Sequence, residues 1–219
     1  MVVFAVVPVK ELGAAKKRLS SILNHEERKL LAAAMLDDVL RTLKSSIIHD
    51  TVVVSNDVVV QKCSEKFGFS YVSQNRPGLN QAINEATEWC VDRKASSVLV
   101  LPSDIPLISP ENIEKIVELG SNESTVVLSP SSNGGTNALF RNPSNLIQPC
   151  FGQDSFMEHI EEAFAKKVCL RFYYSIETAT DIDSAEDLKK LLNIKNASKS
   201  RELLEKLLRQ KPKLSTQGF

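Results

Sequence analysis

Short apolar runs alternate with stretches of helical hydrophobic period along nearly the whole chain, the pattern of βαβ units built on a mostly parallel sheet. Strands are expected at Val2 to Val7, Thr51 to Ser55, Phe69 to Ser73, Val98 to Leu101 and Thr125 to Ser129, then at Ala138 to Phe140 and Val168 to Tyr174. Between them, Glu26 to Lys44 carries Leu30, Leu31, Ala34, Met35 and Val39 at helical spacing, interrupted by Asp38, and Asn24 with Glu27 has the form of a capping box. Further helices are expected at Leu79 to Val91, at Pro110 to Leu119 behind the N-cap Ser109, at Asp154 to Ala165, and from Ser184 to Leu192. Ser198 to Arg209 is amphipathic, with Leu203, Leu204, Leu207 and Leu208 on one side. It reads as a helix docked on the domain or on a second subunit, and the last eight residues read as loose. The division expected is residues 1–195 as the main domain and 196–219 as helix and tail.

The strand Val98 to Leu101 ends abruptly in Pro102-Ser103-Asp104. A continuously apolar strand is buried on both faces, so Asp104 falls at the carboxyl edge of the sheet, where α/β folds place their ligands. It is a candidate metal ligand. The first strand runs into a loop from Pro8 to Leu19 bearing Lys10, Lys16, Lys17 and Arg18. The first βα connection is a usual phosphate cradle, which would engage Lys10, Lys16 and Arg18, though a solvated basic loop fits the charge pattern equally. No Walker loop and no G-x-G-x-x-G occurs, which disfavours P-loop NTPases and classical dehydrogenases.

Asp181 and Asp183 alternate after the last strand, so an extended backbone would point both carboxylates one way, towards hard divalent ions such as Mg²⁺; N-capping is the plainer alternative. Adjacent glycines in Asn133 to Ala138 permit close backbone approach, and Thr136, Asn137 and Ser155 offer neutral hydrogen bonds to a small carboxylate or phosphate. A hairpin turn and an ordinary helix start explain the same residues. Asn80 and Gln81 could read a base edge or cap a helix.

Composition narrows the partners. With 27 basic and 27 acidic residues the net charge is zero, so no global field draws nucleic acid or anionic membrane. Val2 to Val7 is too short to span a bilayer and no basic stretch precedes it, so a cytoplasmic protein is expected. Four widely spaced cysteines without C-x-x-C read as free thiols, and the three histidines form no H-E-x-x-H.

Taken in order, Val7-Pro8-Val9-Lys10 with Ala15-Lys16-Lys17-Arg18-Leu19, Gly78-Leu79-Asn80-Gln81-Ala82, Leu101 to Leu107, Gly134 to Leu139, Phe151 to Phe156 and Thr180-Asp181-Ile182-Asp183 resemble the 2-phospho-L-lactate guanylyltransferase family, CofC and its bacterial relative FbiD. Lys17 stands where that pattern has a serine, and Ser103 where alanine is usual. The resemblance implies an α/β, Rossmann-like three-layer nucleotidyltransferase fold, GT-A-like, with a mostly parallel mixed sheet. It implies an enzyme that joins GTP to 2-phospho-L-lactate, or to phosphoenolpyruvate in bacterial members, releasing pyrophosphate on the way to coenzyme F-420. It further implies Mg²⁺, two ions, on Asp104, Asp181 and Asp183. Pro8, Val9, Lys10, Lys16, Arg18, Leu79, Asn80 and Ser103 would bind nucleotide, with Asp104, Lys16 and Arg18 catalytic, and Thr136, Asn137, Gly152 and Ser155 would bind the three-carbon acid. A homodimer is expected. The alternatives are a nucleotidyltransferase for a sugar phosphate, 3-phosphoglycerate or molybdopterin, and a non-catalytic nucleotide-binding protein.

Overall fold

The computed structural model describes residues 1–14, 16–194 and 198–211. Seven strands form one mixed sheet: β1 (Val3–Pro8), β2 (Asp50–Ser55), β3 (Ser70–Ser73), β4 (Ser97–Val100), β5 (Thr125–Pro130), β6 (Thr136–Asn142) and β7 (Cys169–Phe172). Their spatial order is β3-β2-β1-β4-β6-β5-β7. Only β6 runs against its neighbours, β4 and β5, and the remaining pairings are parallel.

The helices are α1 (His25–Lys44), α2 (Val58–Phe67), α3 (Leu79–Asp92), α4 (Pro110–Leu119), α5 (Ser155–Ala165), α6 (Ile176–Ala179), α7 (Ala185–Asn193) and α8 (Lys199–Arg209). Capping boxes start α1 at Asn24 and Glu27, α4 at Ser109 and Asn112, and α7 at Ser184 and Asp187, which satisfies backbone donors that a helix start otherwise leaves unpaired. Two elements differ from the sequence reading. Neither the short α6 nor α2, which opens on Val58-Val59-Val60, was expected. Asp57 accepts from the Val59 N–H and Gly68 closes the helix at φ 69°, so the two caps override β-branched propensity.

Side chains alternate between two cores. Val3, Ala5 and Val7 of β1 join Leu99, Val127 and Phe140 on the face covered by α1, α4, α7 and α8. Phe4 and Val6 join Val98, Val100 and Leu139 on the face covered by α3 and the segment around Leu146 to Ile160. Helix α8 packs on α1 through Leu204 and Leu207. Its N-terminus is pinned by the buried Asp38, whose carboxylate accepts the backbone N–H groups of Lys199 at 2.8 Å and Ser200 at 2.9 Å. That explains the polar interruption in the α1 pattern. Beside it, the buried Asp37 gathers Arg41, Lys66 and Lys199, which hold its carboxyl below the usual range against the opposing effect of burial. The expectations for the 195/196 boundary and for the last eight residues lie outside the described residues. No helix among the described residues is long and apolar enough to cross a membrane.

Candidate active site

β1 and β4 lie side by side in register, Val6 opposite Val100, at the point where the chain winds outward in both directions. The loops leaving their carboxyl ends diverge and leave a crevice, the position at which doubly wound sheets take ligands. A cavity of about 360 Å³ opens there. Pro8, Val9, Lys10 and Lys16 line it from the first loop, Pro102, Ser103 and Asp104 from the second, and Leu79, Phe151 and Asp183 from across. Ala32 and Met35 of α1 form an apolar floor that the sequence reading did not assign to the site.

The centre of the crevice is electrostatic. Lys16 Nζ lies 2.7 Å from Asp104 Oδ2 and 2.5 Å from Asp183 Oδ1. Its side chain is only 6% exposed, whereas those of Asp104 and Asp183 are 28% and 38% exposed, so the carboxylates face the opening and the lysine sits beneath them. Burial works against the ammonium, but Asp104 and Asp183 outweigh it and raise the Lys16 pKa above the usual lysine value. Lys16 adopts φ 57°, the left-handed region, a conformation that a non-glycine residue adopts at a cost and that clusters at functional sites.

Asp181 stands behind this pair. Burial, and then the negative charge of Asp104 with that of Asp183, pushes its carboxyl above the ordinary range, although Asn137 Nδ2 donates to it at 3.4 Å. The Ile182 N–H donates to the Asp104 carbonyl at 3.0 Å, which stitches the segment from 181 to 183 onto the β4 loop. Three sequence-predicted carboxylates therefore converge with one ammonium among them.

Among the described residues no trio of His, Cys, Asp or Glu forms a ready-made metal cage. Mg²⁺ does not need one, because it uses one or two carboxylates plus substrate phosphates and keeps several waters. The donor set is all oxygen, Lys16 Nζ already occupies a cation's place between two of the carboxylates, and the raised Asp181 is relieved by added positive charge. The residues fit a hard divalent ion.

Of the other expected residues, Arg18, Asn80, Thr136, Asn137, Gly152 and Ser155 are not among those that line this cavity. Arg18 is exposed in the turn Lys17–Leu19 and does not line the cavity. Asn80 donates from Nδ2 to the Phe151 carbonyl at 3.1 Å and accepts the Phe151 N–H at 2.7 Å. In this conformation both ends of its amide are spent on clamping the Phe151 backbone, neither on a base edge nor on a cap. Asn137 Nδ2 also donates to the Thr178 carbonyl at 2.9 Å. Thr136 and Ser155 meet each other, with Ser155 Oγ donating to Thr136 Oγ1 at 3.3 Å. Gly134 takes φ 80° in the turn before them, and a side chain at Gly135 would press Ser131 Oγ at 2.9 Å, so both glycines are required by geometry. A Cβ at Gly152 would meet nothing within 4 Å, so that backbone faces open space.

The sequence reading passed over His159, which is fully buried with Nδ1 3.0 Å from Thr136 Oγ1. Burial, with a contribution from Arg141, lowers its pKa from 6.5 to about 4, so it is neutral.

The chain from residue 3 to residue 218 matches the family model for guanylyl transferases like CofC. It belongs to that family. Similar members include a 2-phospho-L-lactate guanylyltransferase from Methanocaldococcus vulcanius, 35% identical over 97% of this chain and 95% of that one. A phosphoenolpyruvate guanylyltransferase from Rubrobacter xylanophilus is 36% identical over 87% of this chain and 94% of its own. A Methanothermobacter nucleotidyl transferase structure superposes with a TM-score of 0.65 at 15% identity, covering 96% of this chain and 99% of that one, a likeness of fold.

Proposed function

We propose that the protein transfers the guanylyl group of GTP to the phosphate of a three-carbon acid, 2-phospho-L-lactate or phosphoenolpyruvate, with release of pyrophosphate. One observation carries the reading: a buried ammonium held between two half-open carboxylates, with a third carboxylate behind, at the switch point of the sheet. The names of the relatives from Methanocaldococcus and Rubrobacter support it.

The chemistry asks little of side-chain bases. The acid's phosphate has a second pKa of about 6, so near pH 7 it is mostly dianionic and an oxygen can attack the α-phosphorus directly. One P–O bond forms, the bond to the β-phosphate breaks, and pyrophosphate leaves. What the two polyanions need is alignment and relief of repulsion. Lys16 and Lys10 supply positive charge within the cavity, and the exposed Arg18 would reach the triphosphate from the same loop. Asp104, Asp181 and Asp183 would hold Mg²⁺, which would neutralise phosphate charge and polarise the transferred group. Thr136, Gly152 and Ser155 would hold the acid. The acid's three carbons are too small to fill the cavity, and the apolar floor of Ala32 and Met35 leaves room for the nucleoside. A cytoplasmic setting, a homodimer and a product destined for coenzyme F-420 belong to the same reading.

The test is pyrophosphate release from purified protein with Mg²⁺, each nucleoside triphosphate and each three-carbon phosphate in turn. Release should require the metal, GTP and one of the acids together. Silence in every combination, or equal release without the acid, overturns the proposal.

A further inference from the structure

His159 lies on α5 one turn after Ser155 and is fully buried. Its ring makes two contacts that together fix its tautomer. The Cys150 backbone N–H donates to Nε2 at 2.9 Å, so Nε2 carries no proton. A neutral imidazole then has its proton on Nδ1. Nδ1 faces Thr136 Oγ1 at 3.0 Å. Thr136 Oγ1 must therefore accept from the ring. It also accepts from Ser155 Oγ at 3.3 Å. With both lone pairs directed at donors, the one remaining function of the Thr136 hydroxyl is to donate its own hydrogen.

That direction matters because an ionised carboxylate or phosphate accepts hydrogen bonds and donates none. A hydroxyl helps such a ligand only when its hydrogen is free to point at it, and a hydroxyl that donates inward presents a lone pair and repels. The same ring orders the neighbouring chain. It ties down the Cys150 N–H and stacks edge-on against Phe151 with ring centres 5.0 Å apart, and Phe151 lines the cavity. On the other side Asn80 holds the Phe151 backbone by two hydrogen bonds.

We propose that His159 is a positioning residue for the acid substrate: by holding Nδ1–H against Thr136 Oγ1 and Nε2 against the Cys150 N–H, it aims the Thr136 hydroxyl hydrogen at the acid's anionic oxygens. This rests on the reading of Thr136, Gly152 and Ser155 as the acid's contacts, Ser155 through its backbone N–H at the start of α5, since its hydroxyl is turned to Thr136. His159 touches neither substrate and acts through Thr136.

Two measurements test it. In wild-type protein labelled with ¹⁵N-histidine, long-range proton–nitrogen correlation should show His159 as the Nδ1–H tautomer, assigned by its loss in His159→Asn; an Nε2–H tautomer overturns the inference whatever the substrate is. Kinetically, His159→Gln keeps an acceptor for the Cys150 N–H and withdraws the donor from Thr136, while Thr136→Val removes the hydroxyl. Each should raise the KM for the acid about tenfold, the size of one lost hydrogen bond, with the KM for GTP unchanged within about twofold. Because both act on one hydroxyl, the double variant should be no worse than either single one. Effects that multiply to about a hundredfold, or a GTP KM that rises in parallel, overturn it. A wild-type enzyme that turns over no three-carbon acid defeats the substrate reading instead, a result the tautomer measurement does not share.

Discussion

Two parts of the molecule, a charged end at β1 and β4 and a neutral end at β6 and α5, solve opposite electrostatic problems. At the ends of β1 and β4, Lys16 is buried between two carboxylates that remain partly open to solvent, and all three groups in contact are ionic. At the start of β6 and α5, Thr136, Ser155 and His159 are buried and neutral, linked by hydrogen bonds of 3.0 and 3.3 Å. On the proposed reading, the charged end would balance a triphosphate and a metal ion whose charges change during the reaction, since its groups can exchange partners with ligand and water. The neutral end would suit a small anion whose position must be fixed, because buried dipoles with one allowed orientation cost no reorganisation when the ligand arrives. The contrast is one of adaptable charge against fixed polarity.

The strongest way to break that comparison is at the charged end. Lys16→Met keeps the length and apolar stem of the side chain and removes the ammonium. Turnover with GTP should fall on the order of a hundredfold, as for loss of one preorganised charge facing a transferring phosphoryl group. Since the ammonium occupies the place of a cation between Asp104 and Asp183, Mg²⁺ should raise the melting temperature of this variant more than that of wild type. Turnover near wild type would show that the lysine only neutralises the carboxylates. The matching test of the neutral end concerns stability and leaves the charged end untouched. His159 titrates at about 4 in the fold and near its ordinary 6.5 when unfolded. Between these values the unfolded chain binds a proton that the folded one does not, so the contribution is intact above pH 6.5 and is lost as pH falls towards 4. The loss amounts to about 3 kcal/mol across that window. Urea unfolding at a series of pH values should show a loss of stability across this window that is smaller by that amount in His159→Asn; an identical loss would mean that folding does not shift the protonation of the imidazole.

The legibility of the site in the sequence follows the same division. The charged end could be read because each of its residues ends a strand or opens a loop: Asp104 closes an apolar run, Lys16 follows the first strand, and Asp183 precedes the capped α7. Burial of the strand forces such residues to the sheet's carboxyl edge, so one-dimensional position stood for three-dimensional place. The neutral end was legible only in its turn glycines and hydroxyls. His159 sits on a helix with no motif around it, and its partners lie 9 and 23 residues away on a loop and a strand, so only tertiary folding brings them together. Asn80 was found, but its task was not, because the partner that takes up its amide is 71 residues distant. Elsewhere Asp38 looked like a flaw in the α1 stripe until α8 folded onto it. The α2 helix was not expected, although Asp57 and Gly68 supply its caps, because its first turn is three β-branched valines of low helix propensity. The order of the sheet and the reversal of β6 depend on long-range pairing that no local pattern encodes.

The central claim is that an oxygen of the acid's phosphate displaces pyrophosphate from the α-phosphorus of GTP. Acid substrate labelled with ¹⁸O in its phosphate, turned over by the enzyme and analysed by mass spectrometry, tests this directly. All of the label should remain in the nucleotide product, including the new bridging position, and the pyrophosphate should be unlabelled. Label in the pyrophosphate, or guanylate released without the acid attached, would contradict it.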